Sequence, residues 1–232
     1  MRDGTGFCAA ADLDNAMKRY QTVIFDLDGT LLNTLEDLTD AVNYALKSCK
    51  MPERTIEEIR RFVGNGIRNL MLRAVPKGEA NVDFERAYQQ FQQYYKLHCN
   101  DKTRPYPGII ELLGELKKQG YHLAIVSNKA DFGVKELQSI YFKDYITTAI
   151  GEKEGICKKP APDTVQQALR ELGVTEEHAV YVGDSDVDIQ TARNAGLPCI
   201  SVTWGFRSRE FLEEHGADCF ADDTKQLLQL LG

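Results

Sequence analysis

The sequence predicts an α/β fold, a doubly wound parallel sheet interrupted once by a block of helices. Three observations carry that expectation. Strand-length apolar runs alternate with amphipathic helical segments, the pattern that builds a parallel sheet with helices on both faces. Between the first two runs, residues 34–102 hold helical periodicity and no strand pattern. Several of the runs end abruptly in polar clusters, where a parallel sheet opens its ligand crevice.

The chain has 232 residues, 43% of them hydrophobic and 27% charged, which is material for one large domain or two modest ones. Its net charge of −7 disfavours partners that select basic surfaces, so neither nucleic acid nor a membrane surface is expected. No apolar run approaches the roughly 20 residues that span a bilayer, and the first residues lack the apolar stretch of a signal peptide. A cytoplasmic protein, monomer or homodimer, is the expectation. Cys8, Cys49, Cys99, Cys157, Cys199 and Cys219 form no CxxC pair and have no histidine at zinc spacing, so they read as free thiols.

Residues 1–19 carry neither sustained periodicity nor a motif and read as an N-terminal extension. Val23, Ile24 and Phe25 then form the continuous apolar run of a strand buried on both faces. Asp26 and Asp28 follow it, two residues apart and therefore on one side of an extended chain, and Gly29 permits a turn. Thr34 with Asp37 reads as a capping box opening a helix to about Ser48, whose apolar stripe is Leu35, Leu38, Val42, Ala45 and Leu46. Ile56–Val63, Ile67–Val75 and Phe84–Leu97 continue the helical block. After Tyr106-Pro107-Gly108, helices at Ile109–Gln119, Phe132–Ser139, Thr164–Glu171, Val187–Asn194, from Ser208, and at Lys225–Leu231 alternate with strands. Those strands are expected at Tyr121–Val126, Ile146–Ile150, Ala179–Val182, Pro198–Val202 and Asp218–Phe220. The result is a Rossmann-like core of residues 20–33 and 103–232 with an all-helical domain, 34–102, inserted in it.

The polar clusters carry the chemistry. Ser127-Asn128-Lys129 offers an anion a hydroxyl, an amide and the N–H groups of a helix start. Lys158-Lys159-Pro160 sets two cations beside a residue of fixed direction. Asp184 and Asp188, four apart at a helix start, can face the same way. Two like charges 4 Å apart repel by about 4 kcal/mol at an effective dielectric near 20, so Asp26, Asp28 and Asp184 need a counter-charge. A hard divalent cation supplies it, and Mg²⁺ suits one or two carboxylates plus a substrate phosphate. Lys159 adds a second positive charge. Ile189 and Ala195 stand where a calcium loop needs glycine and glutamate, which excludes an EF-hand. Gly64-Asn65-Gly66 lacks the third glycine of a nucleotide loop.

FDLDGT, SN, KP and GDSxxD, in this order over roughly residues 20–232, resemble the motifs of the haloacid dehalogenase-like hydrolase superfamily. The resemblance implies that Asp26 is a nucleophile forming an aspartyl-phosphate and that Asp28 protonates the leaving alkoxide and then activates water. It implies that Ser127 and Asn128 bind phosphoryl oxygens, with Lys159 steadying Asp26 and the transferring charge. Mg²⁺ would be held by an Asp26 oxygen, the main-chain carbonyl of Asp28 and Asp184, with Asp188 supporting that set from behind. The helical insertion resembles the family's cap, and VGNGIRNLMLRAV within it is similar to the cap segment of phosphoglycolate phosphatases. Arg68 is the candidate to grip a substrate carboxylate. The expected function is a Mg²⁺-dependent phosphatase acting on a small phosphorylated metabolite, 2-phosphoglycolate first. A phosphosugar mutase or inorganic pyrophosphatase on the same scaffold, or a non-catalytic regulatory or binding protein, are the alternatives.

Overall fold

A computed structural model describes residues 19–232. The extension expected over 1–19 therefore lies, but for Arg19, outside the described residues, as does Cys8; the other five cysteines are free. Six strands form one parallel sheet in the order β5-β4-β1-β6-β7-β8. They are β1 (Thr22–Phe25), β4 (His122–Ala130), β5 (Thr148–Glu152), β6 (Ala179–Gly183), β7 (Cys199–Val202) and β8 (Phe220–Ala221). β1 lies between β4 and β6, paired in register with both. The strand order reverses beside it, which makes its carboxyl end the crevice of the sheet.

Alternation along β1 explains its unbroken apolar run. Val23 and Phe25 join a core with Leu113 and Leu116 of α5 (Ile109–Lys118), Val134 and Leu137 of α6 (Asp131–Tyr141) and Leu227 of α10 (Thr224–Leu231). Ile24 points the other way, into a core with Val165 and Ala168 of α7 (Asp163–Leu172) and Ala192 of α8 (Asp186–Asn194). The short helix α9 (Arg209–Glu214) stands on its Ser208 cap, whose side chain accepts from the Phe211 N–H.

The inserted cap consists of α1 (Leu35–Ser48), α2 (Ile56–Phe62), α3 (Ile67–Ala74) and α4 (Phe84–His98), with a 3₁₀ turn at Gly78–Ala80. It buries its own apolar cluster, including Leu38, Val42, Leu46, Ile59, Met71 and Phe91, and Phe206 of the core enters that cluster. No helix among the described residues is long and apolar enough to cross a membrane.

The sequence misplaced three local features. Thr34 precedes α1 but makes no side-chain cap. Asp37 instead accepts from the Lys102 N–H at 3.0 Å, the Thr103 N–H at 2.8 Å and the Thr103 hydroxyl at 2.7 Å. It ties the chain leaving the core to the chain returning, beside a two-stranded ribbon of β2 (Leu32–Asn33) and β3 (Arg104–Pro105) that the sequence did not predict. The capping box of the cap is Thr55 with Glu58, before α2. Finally, β4 does not stop at Val126. It runs through Ser127, Asn128 and Lys129 to Ala130, its register with β5 shifting over those residues, so these are strand-end side chains rather than a helix start.

Candidate active site

Asp26 leaves β1 with its N–H on the Val182 carbonyl at 2.9 Å, still held by the sheet. Its Oδ1 accepts from Lys159 Nζ at 2.7 Å. Lys159 comes from the loop between β5 and α7, and the same ammonium donates to Asp188 Oδ1 at 2.8 Å and Tyr181 Oη at 3.0 Å. Asp188 spends its other oxygen on the Ser185 N–H at 3.1 Å and hydroxyl at 2.5 Å, closing a capping box at the start of α8. Asp184, at the end of β6, accepts from the Phe206 N–H at 2.7 Å and the Thr30 hydroxyl at 3.2 Å. Two glycines make room for it. A Cβ at Gly29 (φ +97°) would lie 2.4 Å from Asp184 Oδ2, and one at Gly205 2.3 Å from Asp184 Cβ.

Charge at this site is not balanced by the protein alone. Asp26, Asp184, Asp188 and Lys159 are all buried, which sets three carboxylates against one ammonium, the other buried ammonium of the cavity, Lys129, being paired with Asp28. Burial, followed by the field of Asp188, holds the Asp26 carboxyl well above the usual range. The same two causes push Asp184 up to about 7. Burial would lower the Lys159 ammonium, but Asp188 and Asp26 outweigh it and hold it above its ordinary value, so it stays charged. Oxygens of Asp26, Asp184 and Asp188 lie within 4.8 Å of one another. A hard divalent cation fits this donor set, since it offers oxygen ligands and supplies the missing positive charge. Asp188 already has Lys159, Tyr181 and Ser185 on its oxygens, which suits it to bracing rather than ligating.

Asp28 is partly buried, and its Oδ1 accepts from Lys129 Nζ at 3.3 Å. Lys129 in turn donates to Tyr95 Oη of α4 at 2.5 Å. Neither Lys129 nor Tyr95 was assigned a role from sequence, because lysine at a strand end and tyrosine in a helical stripe carry no motif.

Asp26, Asp28, Ser127, Asn128, Lys159 and Asp184 line one cavity of about 60 Å³, which the cap closes with Val63, Gly64, Gly66, Ile67 and Leu70. Asn128 donates its amide to the Lys159 carbonyl at 3.0 Å, so it braces the lysine loop from inside the cavity. Arg68 does not reach this site. Its guanidinium pairs with Glu79 at 3.0 Å and Glu85 at 2.6 Å and lies over the rings of Phe84 and Tyr88 on the cap surface. The arginine that does line the cavity is Arg207, in the loop between β7 and α9. It donates to the Arg60 and Val63 carbonyls at 2.7 and 2.6 Å, fastening the C-terminal end of α2 to the core.

Comparisons with known proteins show the family. The profile of the haloacid dehalogenase-like hydrolase family matches residues 23–202. A phosphoglycolate phosphatase of Caulobacter vibrioides is 34% identical over 218 residues, covering 90% of this chain and 92% of that protein. One from Mesorhizobium japonicum is 33% identical over 195 residues, covering 82% and 86%. Among solved structures, a predicted phosphoglycolate phosphatase from Haemophilus somnus superposes with a TM-score of 0.85 at 29% identity, covering 93% of this chain and all of that one (100%). A Lactobacillus delbrueckii subsp. bulgaricus protein, assigned to that activity by inference, reaches 0.88 at 38% identity over 93% of this chain and 99% of its own. With that profile covering most of its length and these relatives matched over most of theirs, the chain belongs to the haloacid dehalogenase-like hydrolase family.

Proposed function

We propose that the protein is a Mg²⁺-dependent phosphatase that hydrolyses a small phosphomonoester, 2-phosphoglycolate first, through a phosphoaspartate on Asp26. The observation that carries the reading is the state of Asp26. Its Oδ1 is held by Lys159, while no hydrogen bond among the described residues engages Oδ2, in a residue that lines the cavity. A carboxylate needs no base to act as a nucleophile. Oδ2 attacks phosphorus as the ester oxygen departs with a proton from Asp28. Asp28 then takes a proton from water, whose oxygen displaces Asp26 and releases inorganic phosphate. Lys159 offsets the charge on Asp26 throughout, and Ser127 offers its hydroxyl to the phosphoryl oxygens.

Asp26, Asp184 and the Asp28 carbonyl would hold Mg²⁺, which when bound supplies the positive charge that lets a phosphate dianion approach these acids. A carboxylic acid at position 28 favours phosphoryl transfer over carbon–halogen cleavage, which has no alkoxide to protonate. The named relatives point to phosphoglycolate as that ester. The free thiols of the five described cysteines and a soluble metabolite as substrate accord with a cytoplasmic location.

The test is acid-quenched labelling with a ³²P-phosphomonoester. Wild type is expected to carry label on Asp26 and Asp26→Asn none, with steady-state phosphate release abolished in the variant. Label on another residue would overturn the nucleophile assignment. A panel of phosphoglycolate, hexose phosphates and pyrophosphate sets the substrate, and isomerised sugar phosphate without free phosphate would make the protein a mutase.

A further inference from the structure

The cavity holds a second buried lysine for which the steps above have no use. Lys129 is 5% exposed, and its stem runs under α6, where a Cβ at Gly133 would approach its Cε to 3.5 Å. Its ammonium has two oxygen partners, Tyr95 Oη at 2.5 Å and Asp28 Oδ1 at 3.3 Å, and it lies 4.7 Å from the centre of the Tyr95 ring. Tyr95 belongs to α4 of the cap and is itself buried, stacked on Phe91 at 5.3 Å. One ammonium thus touches both an acid of the core and a hydroxyl of the cap.

A buried ammonium is costly unless its donors are met, and an apolar chain of the same length would fill this space more cheaply. The charge is explained by what it holds. Asp28 lies beyond the end of β1, and no other side chain among the described residues bonds its carboxylate. Lys159 does for Asp26 what Lys129 does for Asp28. The difference is that Lys159 has its partners wholly in the core, whereas Lys129 depends on the cap.

We propose that Lys129 is a positioning residue for Asp28 and that Tyr95 seats it, so that the acid–base carboxylate is aligned while α4 is docked over the crevice. This rests on the proton-transfer role given to Asp28 above. It separates Lys129 from a general phosphate-binding cation, because loss of alignment harms proton transfer and leaves phosphoryl binding in place.

The experiment compares wild type, Tyr95→Phe and Lys129→Met, with Mg²⁺, on 2-phosphoglycolate and on 4-nitrophenyl phosphate. The first ester leaves as an alkoxide that needs a proton, and the second leaves as a stable phenolate. Since kcat/KM reports formation of the phosphoaspartate, it is expected to fall about 10-fold in Tyr95→Phe and about 100-fold in Lys129→Met for phosphoglycolate. For the aryl ester it should stay within about 2-fold. With that ester kcat and KM should fall together and labelled phosphoenzyme accumulate, because hydrolysis of the phosphoaspartate still needs Asp28 as base. Equal losses of kcat/KM on both esters, or none on either, overturn the proposal. Tyr95→Phe keeps the packed ring and removes one hydroxyl, so the test survives if Lys129→Met fails to fold. If wild type forms no phosphoenzyme at all, the phosphatase reading fails and this proposal with it; a loss confined to the alkyl ester in an active background concerns Lys129 alone.

Discussion

Lys159→Met is the sharpest perturbation of the site's electrostatics. Methionine has nearly the length of the lysine stem and no charge, so it removes the bonds to Asp26 (2.7 Å), Asp188 (2.8 Å) and Tyr181 (3.0 Å) without opening a large void. Breaking a buried ion pair from one side costs about 3–5 kcal/mol. For a chain of this size each kcal/mol is worth roughly 2–4 °C in melting temperature, giving a fall of about 6–20 °C. The pH dependence distinguishes this cause from lost packing. The folded-state pKa of Asp26 is already above its unfolded value, through burial and Asp188, with Lys159 the opposing influence. A raised carboxyl contributes stability that is complete below its unfolded pKa and is lost as pH rises through the folded one. Without Lys159 the Asp26 value rises further, so the variant's deficit should be smaller at pH 5 than at higher pH, without vanishing there, because Asp188 also loses its ammonium partner. The deficit should grow toward pH 8. Asp184, pushed up to about 7, is itself held down in part by Lys159, so its value also rises in the variant and adds to the deficit at higher pH. The lysine's own pKa is raised, so its contribution leaves only at higher pH. The assay is thermal melting by circular dichroism in EDTA at pH 5, 6.5 and 8. A deficit of equal size at all three would show that lost packing, not the unpaired charge, is what the substitution costs.

Three further outcomes follow from the same geometry. EDTA should abolish turnover and Mg²⁺ restore it, with Asp184→Asn raising the Mg²⁺ concentration at half-activity by at least about 10-fold; unchanged metal dependence in that variant would remove Asp184 from the metal site. Gly205→Ala forces a Cβ to within 2.3 Å of Asp184 Cβ and 2.5 Å of the Gly29 carbonyl, so it should cost about 1–3 kcal/mol and most of the activity; wild-type melting and turnover would contradict that crowding. Arg68→Ala should leave KM for phosphoglycolate unchanged, since Arg68 is occupied by Glu79 and Glu85, whereas Arg207→Ala should raise KM by loosening the cap. The opposite pattern would return substrate recognition to Arg68.

What the sequence revealed and what it hid divide along a physical line. Strand ends were legible because they join two strong signals, an apolar run and the polar residues that terminate it. Asp26 and Asp184 lie where that join placed them, and Lys159 lies in the loop before the helix at Asp163. Helix periodicity likewise located α1 to α4, with ends moved by one residue at most. Contacts between distant segments were not legible. Asp37 matched a local capping pattern at Thr34, yet its carboxylate bonds to residues 65 and 66 positions away, Lys102 and Thr103. The Thr55–Glu58 box has the same local signature and does form, because the other partner of Glu58, Arg54, is also local, four residues away. Arg68 was misjudged for a related reason. Its neighbours Ile67 and Leu70 do line the cavity, but Arg68 itself turns to Glu79 and Glu85 on the cap surface. Arg207 reached the cavity from a loop with no motif.

The two acids at the end of β1 therefore differ less by sequence than by what is brought to each. Asp26 receives an ammonium from Lys159, whose other partners, Asp188 and Tyr181, are fixed in the sheet and α8. That hydrogen bond involves no side chain of the cap. Asp28 receives its ammonium from Lys129, which shares it with Tyr95 of the cap. A phosphoaspartate formed under a docked cap would then meet an aligned base only while that cap stays docked. In the open state the acyl phosphate would face bulk water without its base in position, and hydrolysis would wait for closure. On the roles proposed for Asp28 and Asp26, placing the cap-dependent lysine on the first and the cap-independent one on the second would make substrate enclosure a condition of proton transfer in both halves of the reaction while the nucleophile stays built.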